Sequence, residues 1–289
     1  MGPDDCNEMY LQTLRKRLDV EAVLMLPDPY MLVPFRDGTF YLIVVNLPQT
    51  ESLTRRILIQ GKSIVEQQVS TWQLEQAAVR GLDEQLSAIL KTAVVVWEKD
   101  GYMSMMKQRL YQMPKPLQKM YICREYSRLL RFFCQTKECL NRGMNLDAYH
   151  AVIQSLHAWA RCIIYEAGEQ PVCGLWSQVK LIDPSVYKLY EELSINAEAL
   201  DKRIELLELA IEFWLSSSMK ESVRYVMEIM ETKTGPWRFS ELMMHDEIKR
   251  ADIELPLLLE KMVQRSLLRE VSLSLDGDGN EEIGFILSE

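Results

Sequence analysis

Arg124, Arg128 and Arg131 recur at i, i+4 and i+7 within a helical pattern, so their guanidinium groups share one face as a basic stripe. Such a row suits a phosphate, because each guanidinium presents a rigid fork of donors. The competing arrangement is a solvated stripe paired with acidic neighbours. His150 and His157 also share a helical face, two turns and ~10 Å apart, which is too far for both to bind one metal ion. Each fits better as a satisfied imidazole lining an interior or a cleft. Near the C-terminus Lys261, Gln264 and Arg265 could reach a nucleic-acid groove from a single helix. Glu254 and Glu260 lie on or beside that helix. Asp276, Asp278, Glu281 and Glu282 follow it and would be repelled by phosphate, so a structural or protein-contact role is favoured over DNA binding.

Cys6, Cys123, Cys134, Cys139, Cys162 and Cys173 form no C-x-x-C pair and no zinc-ligand spacing. They read as reduced, partly buried thiols.

The elements that must position these residues change character twice along the chain. Asn7–Leu18 carries apolar residues on one helical face, and Val20–Leu26 reads as a buried strand. The run Thr39–Asn46, bounded by Gly38 and Pro48, has the short β-branched character of a central strand. Arg55–Ile59 and Lys62–Ser70 flank Gln60-Gly61, a hairpin turn signal. Ser70 and Gln73 have capping-box spacing, so a helix starts there and stops near Gly81; a second short helix and a strand over Ala93–Trp97 follow. Lys119–Arg142 and Asn145–Gly168 are long helical segments parted by Gly143. Pro171 and Pro184 sit where helices could start, and Ala197–Ser216 is again helical. In the tail, Ser240 would cap a helix over Ser240–His245, and Leu255–Ser266 is a second one. Leu268–Leu275 and Glu282–Leu287 flank Asp276-Gly277-Asp278-Gly279-Asn280, a strong hairpin signal that suggests a wing. The expectation is an α+β chain in three parts: a mixed sheet with helices over 1–103, a helical bundle over 104–232, and a winged-helix-like domain over 233–289.

With 48% apolar and 26% charged residues, the 289-residue chain has an ordinary globular balance. Its net charge of −9 disfavours non-specific attraction to a phosphate backbone, so a nucleic-acid partner would need a locally basic patch. The acidic start Met1-Gly2-Pro3-Asp4-Asp5 is no secretory signal, and no apolar run approaches the ~20 residues that span a bilayer. These features predict a cytoplasmic protein without a membrane partner.

The paired strands Val20–Leu26 and Phe40–Val45, the stretch Val94-Val95-Val96-Trp97-Glu98-Lys99-Asp100-Gly101 and the following bundle together resemble the nucleotidyltransferase superfamily. The bundle is similar to the helical substrate-binding domain of kanamycin-type nucleotidyltransferases. Leu146-Asp147-Ala148-Tyr149-His150, Leu156-His157, Trp176-Ser177-Gln178-Val179 and Val186 through Leu193 resemble a bacterial nucleotidyltransferase-like family that ends in a winged-helix-like domain. The likeness covers nearly the whole chain and speaks to membership rather than to an activity.

The superfamily places a Gly-Ser turn after its first strand and an Asp-x-Asp pair on one face of its second, to hold two metal ions at the α-phosphate. Here the strand reads Thr39-Phe40-Tyr41-Leu42-Ile43, so the two positions are a hydroxyl and a phenol. A phenol stays protonated near pKa ~10 and is a poor Mg²⁺ ligand. Pro27-Asp28-Pro29 replaces the Gly-Ser turn. The resemblance therefore implies a degenerate enzyme that binds a nucleotide, a phosphorylated small molecule or a partner in the cleft between its α/β and helical parts. Arg124, Arg128, Arg131, His150 and His157 are the candidate ligand contacts. One alternative is an active transferase with an atypical Mg²⁺ site, for which Asp37 and Glu66 are the candidate catalytic carboxylates. Another is a DNA-binding regulator, and a homodimer is compatible with all three.

Overall fold

The computed structural model describes residues 3–27, 33, 38–47, 53–81, 83–111, 113–172, 174–274 and 281–288. The chain divides into two compact units, the first formed by residues 1–114 with 168–174 and the second by the remainder.

In the first unit, α1 (Pro3–Arg15) precedes β1 (Val20–Leu26), β2 (Thr39–Val45), β3 (Leu53–Ile59) and β4 (Lys62–Ser70). Then come α2 (Thr71–Arg80), α3 (Glu84–Thr92), β5 (Val94–Glu98) and α4 (Tyr102–Tyr111). The strands form one sheet in the order β3-β4-β2-β1-β5. β2 and β4 run parallel, and the other neighbours are antiparallel. Strand alternation sorts the side chains onto two faces. Leu24, Phe40, Leu42, Val44, Val65 and Val69 pack with Leu74, Ile89, Met103 and Met106 of the helices that follow the sheet. Val23, Tyr41, Ile43, Val45 and Ile64 pack instead with Tyr10, Leu11 and Leu14 of α1. Both faces of β2 are thus covered, which explains its unbroken apolar run.

The β3–β4 hairpin turns at Gln60 and Gly61, both with positive φ (51° and 80°), as a tight turn matched to strand twist requires. Ser70 and Gln73 form the expected capping box on α2.

The second unit begins with α5 (Lys115–Asn141) and α6 (Asn145–Glu166), an antiparallel pair joined through Gly143 at φ 70°. α7 (Leu175–Ile182), α8 (Pro184–Ile195), α9 (Leu200–Ser222) and α10 (Arg224–Met230) complete the bundle. Two buried polar groups tie it together: the Tyr126 hydroxyl donates to the Leu215 carbonyl at 2.7 Å, and Gln118 Nε2 donates to the Tyr165 carbonyl at 2.5 Å. Pro184 opens α8 as expected. Pro171 starts no helix, because residues 168–174 leave the bundle and join the first unit.

The tail contains β6 (Trp237–Arg238), α11 (Phe239–Met244), α12 (Asp246–Ala251), α13 (Leu255–Gln264), β7 (Leu268–Ser274) and β8 (Glu281–Leu287). Its sheet has the order β6-β8-β7. Two elements depart from expectation. The third strand, β6, is only two residues long, and α12, with only Ile248 and Ala251 buried, is too short to show a periodicity. Arg238, not Ser240, stands at the N-cap of α11. The hairpin tip over 275–280 lies outside the described residues, although β7 and β8 pair antiparallel as the wing predicts. Among the described residues no helix is long and apolar enough to cross a membrane.

Gly38, at φ +117°, leads into β2, and a Cβ there would overlap the Ser63 carbonyl oxygen. The nearest obstruction is the Ser63 backbone, which cannot swing aside as a side chain could. Gly38→Ala should therefore lower stability by about 1–3 kcal/mol, read as a lower denaturation midpoint at unchanged slope; an unchanged midpoint would show that β2 tolerates a side chain there.

Candidate functional site

Register decides what the second strand presents. Tyr41 pairs with Glu66 across the parallel β2–β4 ladder, and Arg55 pairs with Glu66 across the β3–β4 hairpin. These three residues therefore stand side by side on the face that α1 covers. Glu66 is 1% exposed. The Tyr10 hydroxyl donates to its Oε1 and the Arg55 guanidinium to its Oε2, so both carboxylate oxygens are occupied. Burial pushes the Glu66 carboxyl up, and a hydrogen bond from the Gln68 side chain pulls the other way. The Tyr10 and Arg55 contacts likewise favour the ionised form.

Tyr41 is fully buried, with its ring 5.5 Å from that of Tyr10. Its hydroxyl has no hydrogen-bond partner among the described residues. Burial, and after it the charge of Glu8, raises its pKa, so the phenol stays neutral. Tyr41 and Tyr10 thus form an aromatic pair packed under α1. Thr39, the other of the two Asp-x-Asp positions, sits at the start of β2 and is half-buried. Asp37 and the Asp28-Pro29 part of the turn after β1 lie outside the described residues. No group of three His, Cys, Asp or Glu side chains among the described residues could hold a metal ion.

The acidic turn after β5 has a local duty. Glu98 Oε2 accepts from the backbone N–H groups of Met103 and Ser104 at 2.8 and 3.0 Å, and Oε1 accepts from the Ser104 hydroxyl at 2.9 Å. This caps α4. Desolvation pushes the Glu98 carboxyl up, but the Ser104 and Met103 hydrogen bonds outweigh it and leave its pKa below the usual carboxylate value. A cavity of about 410 Å³ in the first unit, lined by Gln67, Gln73, Gln76, Asp83 and Gln85 among others, lies on the opposite sheet face from Glu66.

In the second unit the arginine stripe forms as spaced, and each arginine is ion-paired. Arg124 and Arg128 flank the buried carboxylate of Glu125 at 3.0 and 3.2 Å. Arg128 also reaches Asp252 at 2.7 Å, and Arg131 reaches Glu254 at 2.9 Å. The backbone N–H of Glu254 donates to Ser127 Oγ at 3.1 Å. Asp252 and Glu254 lie in the turn between α12 and α13, so the stripe joins the tail to α5. Its pairing with acidic neighbours is the arrangement weighed against a phosphate site. At the other end of α13, Arg265 donates to Ser216 on α9 and Lys261 to Gln264.

His157 and His150 part company. His150 is exposed. His157 is half-buried, edge-on to Trp176 and Tyr190, whose rings stack 3.9 Å apart, and desolvation lowers its pKa. The free cysteines Cys123, Cys134, Cys139 and Cys162 lie in the bundle helices; burial pushes the Cys123 thiol up to about 12, so it is an inert thiol.

Tyr10 and Arg55, the partners of Glu66, were not singled out from sequence. Arg55 could have been, since it lies as far before the Gln60-Gly61 turn as Glu66 lies after it. Tyr10 could not, because nothing local says which sheet face receives α1.

YgxA of Bacillus subtilis (strain 168) is 30% identical over 217 residues, which are 75% of this chain and 74% of that protein. The chain belongs to the YgxA family. Residues 118–220 match the model of the YgxA-like substrate binding domain, and residues 224–279 match a helix-turn-helix domain. The fold is also that of a solved nucleotidyltransferase-like protein from Exiguobacterium sibiricum 255-15. That structure is 22% identical, with a TM-score of 0.72, and the match covers 99% of both chains. The expected nucleotidyltransferase-like sheet and helical substrate-binding domain are thereby found together, and the tail expected to be winged-helix-like matches a helix-turn-helix domain.

Two substitutions test the geometry. Tyr41→Phe removes a buried hydroxyl that has no described partner, so it should raise stability by about 1 kcal/mol in a denaturant titration; a clear loss would mean that the hydroxyl is bonded. Glu98→Ala should cost about 1 kcal/mol, the usual worth of a helix cap. Because the folded pKa of Glu98 is depressed, that contribution is whole above the unfolded-state pKa and fades as pH falls through the folded one. The gap between wild type and variant should therefore narrow on acidification, and a gap independent of pH would contradict the cap.

Proposed function

We propose that this chain is a nucleotidyltransferase-fold protein that no longer transfers nucleotides and instead serves as a binding protein for a nucleotide or phosphorylated small molecule. The observation that carries this reading is the Tyr41–Glu66–Arg55 row sealed under Tyr10. Two-metal catalysis needs at least two open carboxylates near the reacting phosphate. Here a neutral phenol stands where one would be, and Glu66 has both oxygens engaged by other side chains. The nucleotidyltransferase-like fold and the substrate-binding-domain match support the ligand class. The arginine stripe gives that ligand little, because its charge is already neutralised.

A second reading, duplex DNA binding through the helix-turn-helix domain, has the family match in its favour. Against it stand the engagement of Lys261 and Arg265 within the protein and the acids of the wing, where Glu282 is held by Arg238 at 3.2 Å. We infer that this domain is a structural element of the second unit.

The expected outcome with Mg²⁺ or Mn²⁺ and each of the four nucleoside triphosphates is no release of pyrophosphate, with a rise in melting temperature for the nucleotide that binds. Pyrophosphate release that disappears in Glu66→Ala would overturn the reading. Salt-sensitive retardation of duplex DNA, lost on charge reversal of Lys261 and Arg265, would favour the regulator instead.

A further inference from the structure

α9 buries Ile204, Leu207, Ile211, Leu215 and Met219 in the bundle. Directly opposite, on its outward side, Leu206, Leu209 and Phe213 are 59%, 67% and 76% exposed. Single exposed apolar residues need no explanation, but three at i, i+3 and i+7 form one continuous stripe in water. Substrate binding does not account for a convex apolar helix face. We propose that this stripe is a homodimer interface in which the α9 helices of two copies pair antiparallel about a twofold axis between residues 209 and 210.

The spacing of the stripe and the charges at its ends choose the partner and the direction. A twofold interface must be self-complementary, so each residue needs a suitable partner at the mirrored position. In the antiparallel register Leu206 meets Phe213 of the second copy at each end, and Leu209 lies beside its own mate at the centre. Lys202 and Lys220 lie in line with the stripe, one beyond each end. Lys202 is already paired with Glu205, but parallel pairing would stack the unpaired Lys220 on its own copy, a like-charge contact in a partly desolvated seam. Antiparallel pairing sets Lys202 against Ser217 and brings Lys220 to the acidic start of the other α9. Lys220 is ~16 Å along the helix from the stripe midpoint and Asp201 is ~13 Å from it in the other direction, so antiparallel pairing sets the two at nearly the same height. Glu198, just before α9, adds to that acidic end. Lys220 has no ion pair among the described residues, which leaves it available for this contact. The acids flanking the stripe already have partners: Glu205 pairs with Lys202 at 2.8 Å, and Glu212 with Lys137, shared with Glu208, at 3.1 Å.

Sedimentation velocity of the full chain over a range of concentrations should show a reversible dimer. Leu209→Glu should raise its dissociation constant at least about tenfold, as expected for a residue at the centre of an interface. Because Leu209 faces water in the single copy, the variant should keep its circular dichroism and its monomer stability, which separates loss of pairing from loss of fold. Disulfide trapping reads the register. Leu209→Cys should cross-link to itself, and a mixture of Leu206→Cys with Phe213→Cys should cross-link to each other more than either does alone. A wild-type chain that stays monomeric at tens of micromolar, a dimer unmoved by Leu209→Glu, or cross-links favouring Leu206→Cys with itself would each overturn the proposal.

Discussion

A carboxylate that is almost wholly buried has to be satisfied by the protein itself, and Glu66 imposes that demand on the first unit. Its two oxygens require two donors at the same depth. Arg55 comes from the neighbouring strand by hairpin register, and Tyr10 comes from α1, which must therefore lie across this face of the sheet. With α1 so placed, Leu11 and Leu14 cover Val20 and Ile43, and Tyr41 packs under the Tyr10 ring. In the proposed reading, the same contact that completes the hydrophobic layer also closes the place where a nucleotidyl-transfer site would open. Stability and loss of catalysis then share one cause: a site opened for metal and triphosphate would expose the layer that holds α1 down.

The second unit is organised around another buried carboxylate. Glu125 is 2% exposed and sits between Arg124 and Arg128. The guanidinium of Arg128 is shared with Asp252, and the series continues through Arg131 to Glu254. Exposed ion pairs of this kind are each worth little, but a run of them at one joint fixes geometry even where it adds modest free energy. The helix-turn-helix match covers residues 224–279, which include the 252–254 segment held by this series. α13 lies against α5 and β7, with Leu258, Leu259 and Met262 buried. That placement argues for a helix used as packing material within the unit.

Much of the local architecture was legible because it is local. The Ser70–Gln73 capping box, the Gln60-Gly61 turn, Gly143 between two long helices and Pro184 at a helix start each act through near neighbours in the chain. The departures are short or long-range. α12 has a single apolar turn, β6 has two residues, and Pro171 lies in a segment that crosses to the other unit. None of these leaves a periodic signature, since their placement is decided by what they pack against.

The candidate site divides along the same line. Sequence by itself determined that no Asp-x-Asp pair exists on β2, and that three arginines share one face of α5, because residue identity and helical or strand periodicity are properties of adjacent residues. Only the tertiary structure decided what those groups meet. Strand register set Glu66 beside Tyr41 and Arg55, the docking of α1 brought Tyr10 onto it, and folding of the tail carried Asp252 and Glu254 to the arginine face. Charge compensation in a buried or half-buried place is settled by groups far apart in the chain, so a pattern read along one helix can name a cation but not the anion that will neutralise it.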